Sequence, residues 1–564
     1  MKFFTKLRPT KNMEKIDIKK YLPKWTKRVF TDMGGRDPLG LSRVSFIITD
    51  YLLTGIITQT DRARYYSFYC WALWHIAREE HPQKYQKFVD AFRRREATMA
   101  LATVSNNPGT SPVGITAARA YLDKGLQTKE INCNFRVLPS NALGGYGQYY
   151  AGSLNQLGLI YKADDGIDNA NEYGEALAKA FHSVIEKTPY IKKRLYINDH
   201  ISLKDLDASK QYLTLDALNI SSASEERLML KDLFFGFNDK FPSERTLMRR
   251  KSLSHILYMI SEYNEKRIPV NKDSLDWDLV FPIYYYDVFS TIKKVPIEYK
   301  TPEQYSLNKS LWKQFCLQQF ITQALESLMY CVLEIIGSES AGLRIDDLIL
   351  QILQHEFYSI LKEATQKSCK KPIDLLTHLG INDVPPEKTS LRLQKELSFI
   401  HPLSEAQIIH MDFKTPQAAA VRAMLILFVT YGKWRGLKHD VGFNYVAAHA
   451  NNELWAGTLL QVLDKCLDSK ISWDIVLHIL IEHFIVNQHD RIMYEKRRLD
   501  SCWIHKIEER IIKEQDYAPR WRSSRHYNAV SIMSDLGLID IDHKNNISVS
   551  NEGQQLLKRI MRNV

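Results

Sequence analysis

The sequence predicts a mainly α-helical, multidomain protein that contains two winged-helix-like units. Three observations lead to this fold class. Apolar residues recur at intervals of three and four along most of the 564 residues, which is the period of a helix. Few stretches show the alternation of apolar and polar residues that is typical of strands. Finally, one pattern of glycine and leucine occurs twice, and the length itself favours about three or four domains.

The repeated pattern has the same spacing in both places. Leu157-Gly158-Leu159-Ile160 is followed by Gly174, and Leu536-Gly537-Leu538-Ile539 is followed by Gly553. From the last isoleucine to the later glycine is 14 residues in both cases (174 − 160 and 553 − 539). A glycine tolerates the left-handed conformation that ends many helices, so each pattern indicates a helix, a strand, a polar turn and a second helix.

Helix, strand, wing, strand and closing helix is the order of elements in winged-helix modules. The sequence therefore predicts one such unit near residues 115–182 and a second at 517–562. In the second unit we expect two helices before the hairpin, and Leu536, Leu538, Ile547 and Val549 buried together. In the second copy, Ile547-Ser548-Val549-Ser550 alternates as a return strand should. Winged helices either bind nucleic acid or serve in assembly, so this pattern narrows the function without identifying it.

Composition changes and turn signals divide the rest of the chain. The sequence Asp383-Val384-Pro385-Pro386 is the clearest linker signal, which places a boundary within 381–390. The predicted domains are a basic N-terminal arm at 1–30, a helical domain with the first winged-helix-like unit at 31–182, a helical middle domain at 183–380, and a C-terminal helical domain at 390–564.

Charge and cysteine content limit the class of protein. The net charge of +11 and the pI of about 9.0 permit a phosphate-binding surface, although dispersed lysines would give the same total. The 7 cysteines include no C-x-x-C pair, which argues against a zinc ribbon or a disulfide framework and fits a reducing cytoplasm. The most apolar run, 418–432, contains Arg422 and is too short to cross a bilayer, so we expect it to be a buried helix. Without a secretory signal at the N-terminus, we expect a soluble, cytoplasmic protein.

The strongest binding signal lies just before the second repeated pattern. Arginines and a histidine precede the predicted recognition helix, and a lysine falls on the predicted wing; helix N-termini with such side chains suit phosphate and groove contacts. The predicted nucleic-acid-binding residues are Arg520, Arg522, Arg525, His526 and Lys544. The alternative is that this basic stretch contacts an acidic partner or covers the protein's own core.

A second polar cluster lies in the N-terminal block. Thr60 is a possible N-cap, which would place Arg62 and Arg64 in the first turn of a helix. Cations are unfavourable at that end of the helix dipole unless carboxylates or phosphates neutralise them. Internal ion pairs with carboxylates of the same block are the favoured interpretation, and an anion site is the alternative. The cluster comprises Arg36, Asp37, Asp61, Arg62 and Arg64.

The same block carries a resemblance to known sequences. The run from Arg36-Asp37-Pro38-Leu39-Gly40-Leu41 to Thr60-Asp61-Arg62-Ala63-Arg64-Tyr65 resembles the opening block of uncharacterised proteins encoded in bacterial anti-phage defence islands. The resemblance covers some 45 residues, between 36 and 80. It implies a defence context and assigns no catalytic residue.

Catalytic motifs are sparse. HEPN-type ribonucleases use an arginine and a histidine separated by four to six residues; Arg250 and His255 fit this spacing with four residues between them, and Arg498 and His505 fit it with six. Phosphate-binding loops and metal-ligand motifs are missing, so no cofactor and no metal is expected. We therefore predict a nucleic-acid-binding component of a defence system, holding DNA through phosphate contacts while a partner, such as an ATPase or nuclease, supplies catalysis. A helical RNase using Arg250 and His255, and a non-catalytic scaffold, are the alternatives; no membrane partner is expected.

Overall fold

The structure is a computed structural model that describes residues 37–82, 84–163, 166–237, 242–290, 297–337, 339, 341–381, 385–437, 440–496 and 502–562. Most of these residues are helical, and the strands form small sheets of two or three strands. The mainly α-helical fold class is therefore confirmed. Among the described helices, none combines the length and the apolar character needed to cross a bilayer. The predicted N-terminal arm, 1–30, lies outside the described residues.

The chain forms two compact units, each built from stretches that are distant in sequence. Among the described residues, unit 1 comprises those up to 45 and those between 317 and 522, and unit 2 comprises those between 46 and 316 and those from 523 onwards. The domain ranges predicted from the sequence are continuous and stay predictions. The boundary predicted within 381–390 also stays a prediction. The helix Pro386–Glu396 begins inside that segment with a proline at its first position, and its Ser390 is buried.

Unit 1 is organised around a helix with almost no exposed residue. All residues from Gln417 to Trp434 in the helix Pro416–Trp434 are buried, which confirms the buried helix expected from the apolar run. A three-stranded antiparallel sheet joins Leu343–Arg344, Arg510–Lys513 and Ile504–Ile507, in that order. The other helices are Ile345–Ile352, His355–Thr365, Pro372–His378, Pro386–Glu396, Glu405–Ile408, Val441–His449, Ala456–Leu463, Asp464–Leu467, Trp473–Ile479, Leu480–Val486 and Asn487–Lys496.

Unit 2 contains the two repeated patterns. Two of its two-stranded antiparallel sheets pair Glu130–Asn132 with His200–Ser202 and Val288–Phe289 with Ile297–Glu298. Its helices outside the repeats are Arg64–Glu79, Tyr85–Asn106, Ile115–Thr128, Tyr146–Tyr150, Pro189–Lys192, Leu195–Ile197, Leu203–Leu213, Leu215–Asn219, Ser221–Ala223, Ser224–Phe235, Glu244–Glu265, Lys272–Ser274, Asp276–Tyr285 and Glu303–Tyr305. Two further helices, Ser42–Leu52 and Ser306–Ile336, contain residues of both ranges.

Both repeated patterns fold as helix, two-stranded antiparallel hairpin and helix. Repeat 1 consists of Ala151–Gln156, Ile160–Lys162, Asp168–Ala170 and Glu172–Ile185. Repeat 2 consists of His526–Asp535, Ile539–Ile541, Ile547–Val549 and Asn551–Arg562. We refer to Asn551–Arg562 as the closing helix of repeat 2.

The two repeats use the same backbone hydrogen bonds. Gly158 and Gly537 end the first helix with positive φ values of 65° and 75°. The carbonyl of the next residue, Leu159 or Leu538, then accepts a bond from the residue that caps the closing helix, at 3.0 Å in repeat 1 and 3.1 Å in repeat 2. The glycine pattern therefore corresponds to a duplicated local structure and not to a coincidence of spacing.

The second glycine of each pattern is required by close packing. In repeat 1 the Asn171 side chain accepts from the Gly174 amide at 2.9 Å, and in repeat 2 the Ser550 hydroxyl accepts from the Gly553 amide at 3.0 Å. A Cβ at Gly174 or Gly553 would collide with the carbonyl oxygen of Leu159 or Leu538, respectively. Glycine is the residue that allows the closing helix to approach the hairpin this closely.

Part of the prediction for 517–562 is wrong. Two helices were expected before the hairpin, but 514–525 is not helical and one helix, His526–Asp535, precedes it. Pro519 has no amide hydrogen to donate, which disfavours a helix across this segment. Leu536, Leu538 and Ile547 are buried as expected, whereas Val549 is partly exposed.

Candidate functional site

The helix expected to present the recognition surface is largely buried. Within His526–Asp535, Tyr527 is 42% exposed, whereas most other positions are covered by unit 2. A helix that reads base edges in a groove must expose one face along its length. The prediction that this helix presents a recognition surface is therefore wrong. Its buried residues are His526, Asn528, Ala529, Val530, Ser531, Ile532 and Met533.

Arg522 forms internal ion pairs within unit 1. Its Nη2 atom lies 2.6 Å from Glu326 Oε1 and 3.4 Å from Asp37 Oδ1, and its side chain is 12% exposed. Burial alone would lower the pKa of Arg522, but the attraction of these two carboxylates outweighs it and raises the pKa. Arg522 therefore neutralises buried acid groups and is not available to phosphates. Arg520 is exposed, and its amide donates to Glu326 at 2.8 Å.

Arg525 and His526 are buried in unit 2. The Arg525 Nη1 atom lies 2.6 Å from Asp50 Oδ1 and donates to the Ile56 carbonyl at 3.0 Å. His526 is 0% exposed, with its ring packed 4.5 Å from that of Trp312. Burial lowers the His526 pKa to about 3, so the ring is neutral at physiological pH. Neither residue can contact phosphate in this conformation, which corrects both assignments.

The turn of the repeat 2 hairpin is bonded to the segment 270–273 of the same unit. The carbonyl of Lys544 accepts from Asn271 Nδ2 at 2.8 Å, and the carbonyl of Asn545 accepts from the Lys272 amide at 2.8 Å. The backbone of this predicted wing is therefore held against its own protein. The side chain of Lys544 nevertheless remains exposed, as a phosphate contact requires.

Sequence reasoning missed the basic face of the closing helix. Lys558, Arg559 and Arg562 are exposed, while Gly553 and Leu557 face the core. The three cations follow helical spacing on the side opposite the core positions, and this periodic pattern was the signal that could have revealed them. Within the described residues, none of the three lies within ion-pair distance of a carboxylate. We call Lys558, Arg559 and Arg562 the closing-helix basic face.

The N-terminal arginines are buried, as predicted, but their partners are different. Arg62 lies 2.7 Å from Asp216 and 3.0 Å from Asp535, and its side chain is 15% exposed. Arg64 and Glu226 are both completely buried and 3.2 Å apart. The expected carboxylates of the same N-terminal block are not the partners. The structural role of both arginines is supported, with partners supplied by distant segments.

The remaining members of that cluster do not form one site. Arg36 lies outside the described residues, and Asp37 accepts from the amides of Leu41 and Ser42 in unit 1. Asp61 is half-buried in unit 2, where burial raises its pKa against the opposing charge of Arg62. Thr60 does not cap a helix, because the helix begins at Arg64 and Thr60 bonds instead to Ile57.

The predicted ribonuclease pair is not an active site. His255 is 0% exposed, and its Nε2 atom lies 3.0 Å from the hydroxyl oxygen of Tyr299. Burial lowers its pKa to about 3. The Arg250 guanidinium donates to the carbonyls of Phe235 and Gly236. With the histidine sealed from solvent, no RNA could reach both groups. For the second pair, Arg498 lies outside the described residues.

A shallow groove borders the hairpin of repeat 1. Its volume is about 320 Å³, and its lining includes Trp74, Arg78, Tyr161 and Asn169. The Arg78 guanidinium lies 5.5 Å from the Trp74 ring centre, and Tyr161 is 53% exposed. Aromatic rings beside a cation are the type of surface on which unpaired nucleobases stack.

No group of histidine, cysteine and acidic side chains is placed to hold a metal ion in the described part of the chain. All seven cysteines are buried thiols. The sequence matches no protein-family model, and no curated protein and no solved structure matches the chain significantly.

Proposed function

We propose that this chain binds nucleic acid through phosphate contacts, as a subunit whose partner supplies the catalytic step. The observation that supports this proposal is the closing-helix basic face, Lys558, Arg559 and Arg562, in the winged-helix-like repeat 2. Lys544 adds an exposed cation on the hairpin turn of the same repeat. Both repeats are interpreted as winged-helix-like units on the strength of their shared helix–hairpin–helix order.

Phosphate contacts position a protein on nucleic acid without reading the bases. The burial of His526–Asp535 removes the helix that would read them, so the proposed binding is independent of sequence. Cations near a helix C-terminus are also favourable for the helix itself, by about 0.3–1 kcal/mol each. Binding measurements therefore have to separate the two roles.

The proposed setting is an anti-phage defence system in the cytoplasm. It is supported by the resemblance of the N-terminal block alone, from Arg36 to Tyr65. Within such a system, an ATPase or a nuclease encoded in the same operon is the proposed catalytic partner. Co-purification of the chain with the products of its neighbouring genes tests this setting independently of DNA binding.

The salt dependence of DNA binding tests the proposed surface. For duplex DNA, log affinity falls with log salt with a slope of about −0.9 per phosphate neutralised. Replacing Lys558, Arg559 and Arg562 by alanine should therefore flatten the slope by up to about 3, whatever the DNA sequence. The matched control replaces three exposed lysines elsewhere, Lys129, Lys187 and Lys192, by alanine and changes the net charge equally.

A scaffold is the second candidate function, because the repeat 2 turn is bonded to segment 270–273 and the preceding helix is buried. In that case both repeats act as packing modules. Absence of DNA binding by the wild-type protein at low salt would favour the scaffold. Equal slopes for the closing-helix variant and the control variant would reject the closing-helix basic face as the DNA surface.

A further inference from the structure

Arg422 is a buried cation whose hydrogen-bonding capacity is largely unused. It lies in the buried helix Pro416–Trp434 of unit 1 and is 3% exposed. Its Nη2 atom donates to Gln323 Oε1 at 3.1 Å, but its Nε and Nη1 atoms have no acceptor in the described part of the chain. The Nε2 atom of Gln323, which is 2% exposed, also lacks a partner there.

The other buried arginines of the described residues differ from Arg422 in the acceptors around them, although Arg95 Nε also lacks a hydrogen-bond partner there. Each has either a carboxylate partner or several carbonyl acceptors, as the cost of burying a charge requires. Arg249, for example, has no carboxylate but donates to three carbonyls. Arg422 has neither, although burial lowers its pKa only to about 10 and it stays charged at physiological pH. The partners elsewhere are Glu226 for Arg64, Glu80 for Arg95 and Asp50 for Arg525.

A short surface segment covers this cation. The Phe413 ring centre lies 4.4 Å from the Arg422 guanidinium carbon and 5.6 Å from the centre of the Tyr330 ring. Phe413 is partly exposed and belongs to the non-helical connection between Ile408 and Pro416. Partial burial and the charge of Arg422 lower the pKa of His410, which lies in the same connection. Arg422 itself has no carboxylate partner among the described residues.

We propose that Arg422 and Gln323 form a binding site for a small oxyanion, such as a phosphate or a carboxylate group, with Phe413 as its cover. The unused donors are Arg422 Nε, Arg422 Nη1 and Gln323 Nε2. Guanidinium and amide donors together suit oxyanions, and a charge-assisted bond is about twice as strong as a neutral one. Displacement of the partly exposed Phe413 ring opens the path from solvent. The site is independent of the proposed DNA surface.

Isothermal titration calorimetry of the full-length protein tests the proposal. Sodium phosphate and sodium acetate are titrated separately, with sodium chloride at matched ionic strength as the reference. We expect saturable binding of at least one of the two oxyanions. Arg422→Gln should weaken it about tenfold or more, because a charged donor is lost. Lys470→Gln removes an exposed cation of the same unit and should leave the binding constant unchanged.

The calorimetric results distinguish a phosphate ligand from a carboxylate ligand. Saturation with phosphate identifies a phosphate-type ligand, and saturation with acetate alone identifies a carboxylate. Gln323→Leu provides a second variant if Arg422→Gln does not fold, and it too should weaken binding. Absence of saturable binding to the wild-type protein overturns the proposal, as does wild-type affinity in the variant that folds.

Discussion

The buried ion pair between Arg64 and Glu226 makes a sharp prediction about stability. Both side chains are 0% exposed, and Glu226 also accepts from the Ser67 hydroxyl at 2.5 Å. Glu226→Gln keeps the size of the side chain and one acceptor oxygen, but it removes the negative charge. Arg64 would then be a buried cation without a counter-charge.

Breaking a buried pair typically costs about 3–5 kcal/mol, because the remaining charge is left uncompensated. Arg64 also donates to the carbonyls of Tyr212, at 2.7 Å, and Thr214. These bonds survive the substitution and retain part of the stabilisation. We therefore expect a loss near the lower end of the range, about 3 kcal/mol in the free energy of unfolding.

Urea unfolding followed by circular dichroism measures this loss. The matched control is Glu175→Gln, whose partner Lys179 is 57% exposed while Glu175 is 42% exposed. A surface pair of this kind contributes about 0–1 kcal/mol, so the control should remain close to the wild type. If Glu226→Gln also unfolds within about 1 kcal/mol of the wild type, the argument from uncompensated burial fails.

Three further predictions concern packing, pH and binding. Gly553→Ala should destabilise the protein by about 1–3 kcal/mol, because the added Cβ would collide with the Leu538 carbonyl. Gly152→Ala should stabilise it by about 0.4–1 kcal/mol, because a Cβ at this position has no atom within 4 Å. Urea unfolding measures both changes in the free energy of unfolding. His526 stays neutral when folded, so it should make stability fall as pH drops below about 6.5 towards 3, by up to about 1.4 kcal/mol per unit. His526→Phe should reduce the slope of pH-dependent unfolding by that amount, while His255, which is also buried and neutral, keeps its own contribution. Tyr161→Ala should weaken the binding of single-stranded DNA by about 1–3 kcal/mol and have little effect on the binding of duplex DNA. Fluorescence anisotropy measures both affinities. Equal losses of affinity for the two kinds of DNA would reject base stacking at the groove.

Local patterns were predictable from the sequence. The duplicated glycine and leucine spacing corresponds to two helix–hairpin–helix repeats, because Gly158, Gly174, Gly537 and Gly553 each satisfy a requirement of neighbouring backbone. The apolar run near 418–432 is a buried helix for a similar reason, since hydrophobic residues on every face leave no solvent side. That these repeats are winged helices stays a proposal.

The roles of the charged side chains were not predictable in the same way. A run such as Arg520 to Arg525 has the composition of a phosphate-binding surface, yet Arg522 and Arg525 pair with Glu326 and Asp50. Those carboxylates are 196 and 475 residues away in sequence (522 − 326 and 525 − 50). Such a pairing cannot be predicted from neighbouring residues. The prediction from composition therefore placed these arginines on the surface.

By itself, the sequence determined the mainly helical class, the two repeats and the burial of the apolar helix, because hydrophobic period and backbone conformation are properties of neighbouring residues. Only the tertiary structure decided which cations face solvent. A buried arginine needs an acceptor to offset the loss of its hydration, and the acceptors come from distant segments. The acceptors of Arg62 and Arg64 are Asp216, Asp535 and Glu226, while among the described residues Arg422 donates to a single amide oxygen.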